Sequence, residues 1–436
     1  MDRVDAIVVG AGLAGLAAAH RLRALGLDVL VLESASRPGG AVRTVRDRDW
    51  LLEQGPHAVD ASAPALRALL SEADVDPGLL VPATPSSRER FVVQDGRRRA
   101  VPLTPIDLLR SDVLPFSAKL RLLLEPLVRR RVDTDEESVA AFASRRFGPR
   151  TLDLVDAVVT GVHAGDPQRL SVRAAFPALV EAERTYGSVL RGIAKGSRRK
   201  RTLAAPLGGM ERLIEALCER LTVRTATQVT SVEKSPDGSV VTLADATRYT
   251  THHLVLAAPP GPVAEMLGIT RPDVPNAPVT VVGLGFRDDD LPADTLRGYG
   301  ALHPHNEGLF TLGMLHESTL FPAQAPAGHS LVRALVGGRR AADRAHLPDN
   351  LLVDGVLDDL ERIVGMNARP VWSHVLRNRR GIPQLELCHQ AHIEPIVGTV
   401  GRMAGVALAG WGWSGIGIEN SIASGQEAAK AVLSDA

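Results

Sequence analysis

Three glycines and one acid carry the first legible chemistry in this chain. Gly10, Gly12 and Gly15 follow the apolar run Ala6–Val9, and Glu33 closes a second apolar run, Val29–Leu32. Gly10 suits a tight turn, Gly12 lets a pyrophosphate approach the backbone, and Gly15 lets a helix pack closely on the strand. Ala11, Leu13 and Ala14 complete the turn, and an Ala- and Leu-rich helix is expected to about Leu25, stopped by Gly26. Its N-terminus offers free N–H groups and a partial positive charge to phosphates. Glu33 can accept hydrogen bonds from ribose hydroxyls, with Ser34 beside it. The same residues could form a glycine-rich turn that merely packs. Strand, glycines, helix, strand and acid nevertheless fall here in the order a dinucleotide site requires.

A second glycine-rich stretch lies near the end. Gly405 to Gln426 reads as strand, loop and helix, with Trp411 and Trp413 in the loop. A helix opening at Gly417–Asn420 would aim its positive end at whatever the loop holds. In a flavoprotein that placement stabilises negative charge developing on the reduced ring. The run Val281-Val-Gly-Leu-Gly-Phe resembles another nucleotide turn, but no third glycine or helix follows, and Asp288–Asp290 would repel a pyrophosphate. A bound flavin reoxidised by oxygen or a quinone therefore fits better than a nicotinamide-driven reductase. No nucleophile elbow and no HExxH occurs. His303-Pro-His305 and His389–His392 lack the Cys or acid spacing of a metal site, so no metal is expected.

Lys+Arg and Asp+Glu are both 50, so global charge points to no nucleic-acid partner. A chain of 436 residues can build two or three domains. Cys218 and Cys388 lie far apart without a metal pattern, which fits free thiols in a reducing, cytoplasmic compartment. Met1-Asp-Arg runs straight into the first strand, leaving no room for a signal peptide. The longest uncharged stretches, from Ala6 to Ala19 and from Met403 up to Glu419, are too short to span a membrane.

The elements that must position these residues read as follows. Gly55-Pro56 is a turn, and a helix is expected over Ala63–Ala73. Glu89 to Pro102 reads as a hairpin turning at Asp95-Gly96. From about Pro105 to Glu183 the pattern is helical. Within it Lys119–Arg131 reads as a basic amphipathic helix broken at Pro126, suited either to an anionic membrane surface or to a solvated core helix. Arg198–Arg201 is a second basic cluster, expected in a surface loop. The glycine turn at Leu207 feeds a helix, strands follow at Gln228–Glu233 and Val240–Leu243, and Leu254 opens another buried strand. Val279–Phe286, Leu309–Leu312 and Ser330–Val336 suggest an antiparallel sheet in a second domain. A helix is expected near Leu351–Val364.

With the GxGxxG turn, Glu33 and Arg37-Pro-Gly-Gly-Ala-Val-Arg43 assembled, the N-terminus resembles the FAD superfamily of amine oxidases and protoporphyrinogen oxidases. That superfamily also contains the dissociation inhibitors, which bind no flavin. The blocks Asp112-Val-Leu-Pro, Asp135-Glu-Glu-Ser, Arg145-Arg-Phe-Gly, Thr160-Gly-Val-His-Ala-Gly-Asp-Pro, Phe176-Pro, Ser318-Thr-Leu-Phe-Pro and Gly381-Ile-Pro-Gln look like protoporphyrinogen oxidase. The resemblance covers essentially the whole chain, and 160–177 is its most specific part.

The resemblance implies an α/β plus α architecture. A discontinuous Rossmann-like FAD domain would take residues 1–88, 204–270 and 386–436. A mixed-sheet substrate domain would take 89–104, 182–203 and 271–385, and a helical membrane-facing domain 105–181. It implies six-electron oxidation of protoporphyrinogen IX to protoporphyrin IX in haem biosynthesis, with oxygen reduced to peroxide and the chemistry carried by flavin N5. Alternatives are coproporphyrinogen III oxidation, an amine or secondary-metabolite flavin oxidase, and a lipid-binding escort protein of the dissociation-inhibitor type. The matching substrate positions are Arg90 for a propionate, Gly161 against the macrocycle, and Leu302 and Phe321 around a pyrrole. From spacing alone, ordinary packing competes for each. The cofactor set adds Gly40, Ala41, Val42 and Arg43, then Gly55, Pro56, His57 and Ala58 near the flavin, and Val229 beside the adenine. Trp411, Ile416, Gly417 and Ile418 complete it in the last loop. Peripheral contact with the inner face of the cell membrane is expected through 105–181, and an oligomer is compatible. The chain departs from the family at His57 (commonly Asn), Asn378 (Trp), Leu385 (Tyr) and Glu419-Asn-Ser-Ile (Asp-Cys-Ile). These changes bear on the substrate more than on the fold.

Overall fold

The computed structural model describes residues 2–102, 105–131, 135–195, 200–413 and 415–434. Part of the basic cluster 198–201 lies outside them, as does Ser414 in the last loop. A parallel five-stranded sheet runs in the order Thr222–Arg224, Val29–Leu32, Ala6–Val9, His253–Leu256, Val406–Leu408. Its two central strands are buried at every residue, which is why they read as unbroken apolar runs rather than alternating ones. Helices Leu13–Ala24, Glu211–Cys218 and Ile418–Ser434 share one apolar core with Ala6, Val8 and Val31. The alternate residues Ile7, Val9, Leu30 and Leu32 face a second core with Val229 and Val241 of an antiparallel layer.

The second large unit is a seven-stranded sheet. Its order is Trp372–Pro383, Asn276–Arg287, His329–Gly337, Thr311–His316, Gly300–Leu302, Phe91–Gln94, Arg97–Ala100. All pairs are antiparallel except Gly300–Leu302 with Phe91–Gln94. Asp95 and Gly96 both take positive φ, 53° and 68°, as a two-residue hairpin turn demands. The run Val281–Phe286 lies inside this sheet with partners on both sides, so it is not a nucleotide turn. Its glycines have a steric role. A Cβ on Gly285 would sit 2.3 Å from the Trp50 ring, and one on Gly283 would sit 2.8 Å from Leu52. The smooth face they create receives the strand Trp50–Glu53. Helix Asp349–Val364 covers the opposite face through Leu352, Val356 and Leu360.

The helical segment corrects one expectation. Lys119–Arg131 is not a basic helix. The helix spans Phe116–Leu123, a short 3-10 turn follows at Glu125–Leu127, and Arg129–Arg131 are irregular. Lys119 and Arg121 turn back to donate to the carbonyls of Ser111 and Arg145. Phe116, Leu120, Leu123, Leu124 and Leu127 are all exposed, with Arg129 and Arg130 exposed beside them. The turn forms because Pro126 cannot continue the ladder and because Glu125 is drawn inward to Arg146. No described helix is long and apolar enough to cross a membrane.

Candidate functional site

The glycine turn is held as its chemistry requires. Gly10 has φ +104°, and a Cβ there would lie 2.5 Å from the Ala257 carbonyl oxygen. A Cβ on Gly15 would lie 1.9 Å from the carbonyl oxygen of Gly10, so helix and strand touch backbone to backbone. Gly12 caps the helix and faces open space, with nothing within 4 Å of its Cβ position. No side chain caps this helix and no acid lies in its first turn, so its N–H groups and positive end are free for an anion. Glu33 is buried and fixed across the turn, accepting from the backbone N–H of Ala11 at 2.8 Å and of Ala35 at 2.8 Å. Each carboxylate oxygen keeps acceptor capacity for a further donor.

Around this turn the remaining cofactor candidates form one wall. Gly39 donates to the Ala11 carbonyl at 2.8 Å, and a Cβ on Gly40 would be 3.4 Å from Gly12 Cα. Arg37 shapes the loop, donating to the carbonyls of Pro38, Val42 and Gly40 at 3.0, 2.9 and 3.1 Å. Gly55 abuts Ala41, whose carbonyl oxygen would be 2.0 Å from a Cβ there. That contact brings Gly55, Pro56, His57 and Ala58 against the loop Gly40–Arg43. Thr227 donates to the Glu33 carbonyl at 2.8 Å, and two residues later Val229 opens the strand Val229–Ser235. In the last loop Trp413 is the anchor, buried and donating to the Ala258 carbonyl at 3.0 Å, while Trp411 is half-buried. Gly410 donates to Ser424 Oγ at 2.9 Å, so the loop is tied to helix Ile418–Ser434. That helix crosses Leu13–Ala24 closely: a Cβ on Gly425 would lie 2.0 Å from the Ala14 carbonyl oxygen. The two glycine loops thus border one elongated cradle at the N-terminus of helix Leu13–Ala24, whose open Gly12 and acid-free first turn fit a dinucleotide; helix Ile418–Ser434 carries Glu419 in its first turn.

Beside the cradle sits a charged cluster that sequence reasoning missed. His57 Nδ1 is 3.0 Å from Glu317 Oε2, and its Nε2 is 2.7 Å from the Tyr299 hydroxyl. Arg333 lies 3.6 Å from Glu317 and donates to the carbonyls of Glu53 at 2.9 Å and Gly55 at 2.5 Å. It pins the loop of His57 to the large sheet. Burial opposes the charge on Glu317, but the pairing with His57 and Arg333 outweighs it and holds the carboxyl below its usual range. Burial pushes the Tyr299 phenol up to about 12 and Glu53 up to about 7. One signal could have found the cluster: Arg333 stands in the middle of Leu331–Val336, and a charge inside a buried strand demands a partner.

The four substrate candidates fall into two pairs. Arg90 is exposed, and its guanidinium lies over the Tyr299 ring at 4.6 Å. Phe321 meets His57 edge-on at 6.3 Å. Gly161 faces Leu302, whose Cδ2 would be 2.3 Å from an added Cβ. Leu302 packs with Val92 and Ala157, and Phe321 belongs to a different apolar cluster, the core under the cradle. Among the described residues no group of three or more His, Cys, Asp or Glu could hold a metal. His303 is buried, with Nδ1 on Thr311 Oγ1 at 2.7 Å.

Fold and cradle together define a dinucleotide-binding oxidoreductase scaffold with a second, sheet-based wall. The model of flavin containing amine oxidoreductases matches residues 13–433, and the chain belongs to that family. It is an FAD-dependent oxidoreductase. It is 30% identical to protoporphyrinogen oxidase of Homo sapiens, over 98% of this chain and 98% of that protein. It is 31% identical to the chloroplastic protoporphyrinogen oxidase of Oryza sativa subsp. japonica, over 98% of this chain and 88% of that one. Among solved structures, an Exiguobacterium sp. 255-15 protein described as a candidate protoporphyrinogen oxidase superposes with TM-score 0.80 at 22% identity, covering 99% and 98% of the two chains. A putrescine oxidase bound to putrescine superposes with TM-score 0.71 at 18% identity, covering 99% of each. At those identities the two structures establish the fold alone.

Proposed function

We propose that this enzyme oxidises a porphyrinogen to the porphyrin, protoporphyrinogen IX ahead of coproporphyrinogen III, with oxygen as acceptor and peroxide as product. The observation that carries this reading is the likeness to named protoporphyrinogen oxidases over 98% of the chain, helical segment included. Bound FAD would supply the hydride-accepting chemistry. Gly10–Gly15 and the N-terminus of helix Leu13–Ala24 would hold its pyrophosphate, Glu33 and Ser34 the ribose, and Val229 would flank the adenine. Gly40–Arg43, Gly55–Ala58, Trp411 and Ile416–Ile418 would enclose the flavin end. Arg90 would take a substrate propionate, since an exposed planar guanidinium pairs bidentately with a carboxylate. Gly161 would let the macrocycle approach helix Leu152–His163, with Leu302 and Phe321 as apolar walls.

The sheets support a cofactor unit of 1–88, 204–270 and 386–436 and a substrate unit of 89–104 and 271–385, whereas 182–195, expected in the substrate unit, pack as helices on the helical unit 105–181 through Val189 and Glu183. The exposed apolar row of Phe116, Leu120, Leu123, Leu124 and Leu127 supports peripheral membrane contact through that helical unit. The purified protein should be yellow and should raise porphyrin fluorescence from one of the two porphyrinogens in air. Protein that holds FAD and oxidises neither substrate refutes the reading, and peroxide release from an amine would replace it.

A further inference from the structure

The side chains beside the cradle form a chain of proton carriers that runs from His57, at the proposed flavin end, to Tyr299 and Glu317, which have no role so far. Glu317 is 1% exposed, and its Oε2 is 3.0 Å from His57 Nδ1. The other imidazole nitrogen is 2.7 Å from Tyr299 Oη. A carboxylate only accepts, so Nδ1 must carry the hydrogen, and the phenol then donates to the bare Nε2. This is the logic of a base oriented by a buried acid and coupled to a hydroxyl, with a phenol as the outer member. Both flanks of the pair are proposed substrate residues: Arg90 lies 4.6 Å over the Tyr299 ring, and Phe321 meets His57 at 6.3 Å.

We propose that Tyr299, His57 and Glu317 form a relay that accepts the proton released during substrate oxidation. The proposal rests on the porphyrinogen reading. Oxidising one meso CH2 breaks a C–H bond, and the hydride leaves with both electrons to bound FAD. A pyrrole N–H must lose its proton in the same cycle. That proton passes to Tyr299 Oη while the phenol's own proton passes to His57 Nε2, and the imidazolium is stabilised by Glu317. His57 is discharged when oxygen takes up the two electrons and two protons as peroxide. Tyr299 is the group that faces substrate, whereas His57 and Glu317 act through it. Behind Glu317 stand Arg333 and Glu53, and Arg90 stands behind Tyr299, so these are the other charged groups that bias the relay. Pairing with His57, and after it Arg333, keeps Glu317 anionic against its burial, and the burial of Tyr299 keeps the phenol protonated between turnovers.

The test uses the holoenzyme, the variants His57→Asn and Tyr299→Phe, and two readouts. Nitrogen-15 spectra of histidine-labelled wild type should place the His57 hydrogen on Nδ1, and Tyr299→Phe should shift the Nε2 signal. Anaerobic single-turnover reduction of the flavin by protoporphyrinogen IX, and in parallel by coproporphyrinogen III, should slow toward acid through a one-proton limb in the wild type. Both variants should lose that limb and slow about 10²-fold at neutral pH, the scale of general-base catalysis. Tyr299→Phe should change FAD affinity by less than about twofold, because Tyr299 lies outside the loops that hold the cofactor. A limb that persists in both variants overturns the relay, and so does a hydrogen on Nε2. If wild type is reduced by neither porphyrinogen, the substrate reading fails and takes the relay with it. Turnover with an unaltered acid limb sinks the relay alone.

Discussion

Glu125 and Arg146 are both fully buried and form an ion pair beneath the exposed apolar row. Glu125 also accepts from Ser188 Oγ and from the backbone N–H groups of Val189 at 3.0 Å and Leu190 at 3.3 Å. It therefore ties the turn Glu125–Leu127 to helix Val189–Lys195. Glu125→Ala strands a buried guanidinium, and removing one partner of such a pair costs about 3–5 kcal/mol. Arg146 keeps Glu183 at 3.4 Å and the carbonyls of Val128 and Gly187 at 3.0 Å each, which places the loss at the lower end. With about 2.1 cal/mol/K of unfolding entropy per residue, a 436-residue cooperative unit shifts about 1 °C per kcal/mol. The whole chain should then melt about 3 °C lower, and the helical segment further if it melts by itself. Differential scanning calorimetry, with limited proteolysis across 116–131, reads both. The double variant Glu125→Leu with Arg146→Met should recover most of the loss, because it removes both charges at once. A single variant that melts with the wild type and resists protease equally refutes the reasoning.

The carboxylates predict two pH effects of opposite sign. Glu125 and Glu183 are held below the usual range: burial opposes their charge, but hydrogen bonds and the arginines outweigh it. Their contribution is present above the ordinary carboxylate pKa of about 4.3 and is lost as pH falls through the folded values, so the helical segment should loosen first in acid, visible in hydrogen exchange. Glu53 is raised to about 7 by burial, so its contribution is fully present below about 4.3 and fades as pH rises through 7. Glu53→Gln should flatten the decline in denaturant midpoint between acid and neutral pH; an equal decline in both proteins counts against the assignment. Gly425→Ala forces apart helices whose backbones meet 2.0 Å from the new Cβ. It should cost about 1–3 kcal/mol and weaken FAD binding in a fluorescence titration. Arg90→Ala should raise KM for the porphyrinogen about 10- to 100-fold with kcat largely kept, from the loss of a charge-assisted bond worth about 1.5–3 kcal/mol. An unchanged KM removes Arg90 from substrate recognition.

Local order along the chain is legible wherever the determinant is local. The turn Gly10–Gly15, the Asp95-Gly96 hairpin and the helix near Leu351 carry their geometry in neighbouring residues, and the observed elements lie within a few residues of the expected ones. The strand Trp372–Pro383 was not legible, because it is a polar edge strand whose pairing comes wholly from Asn276–Arg287. The helix His389–Val400 was hidden by Pro395 in its interior. Lys119–Arg131 misled because composition shows which side chains are charged but not where they turn. Contacts with Ser111, Arg145 and Arg146 turn Lys119, Arg121 and Glu125 inward and leave the leucines outside, with Arg129 and Arg130 exposed past the helix end.

By itself the sequence determined the glycine turn, the acid Glu33 at the end of the next strand and the apolar runs that build two sheets, since each needs only residues close together in the chain. The close contact of Gly10 and Gly15, and the opening at Gly12, needed nothing beyond that local order. Tertiary structure alone decided what stands beside the cradle. His57 meets Tyr299 and Glu317 across 242 and 260 positions of sequence, and Arg333 reaches Gly55 across 278. A buried charge gains its partner only when distant strands pack, so Arg333 inside an apolar run shows that a partner is needed but not which residue supplies it.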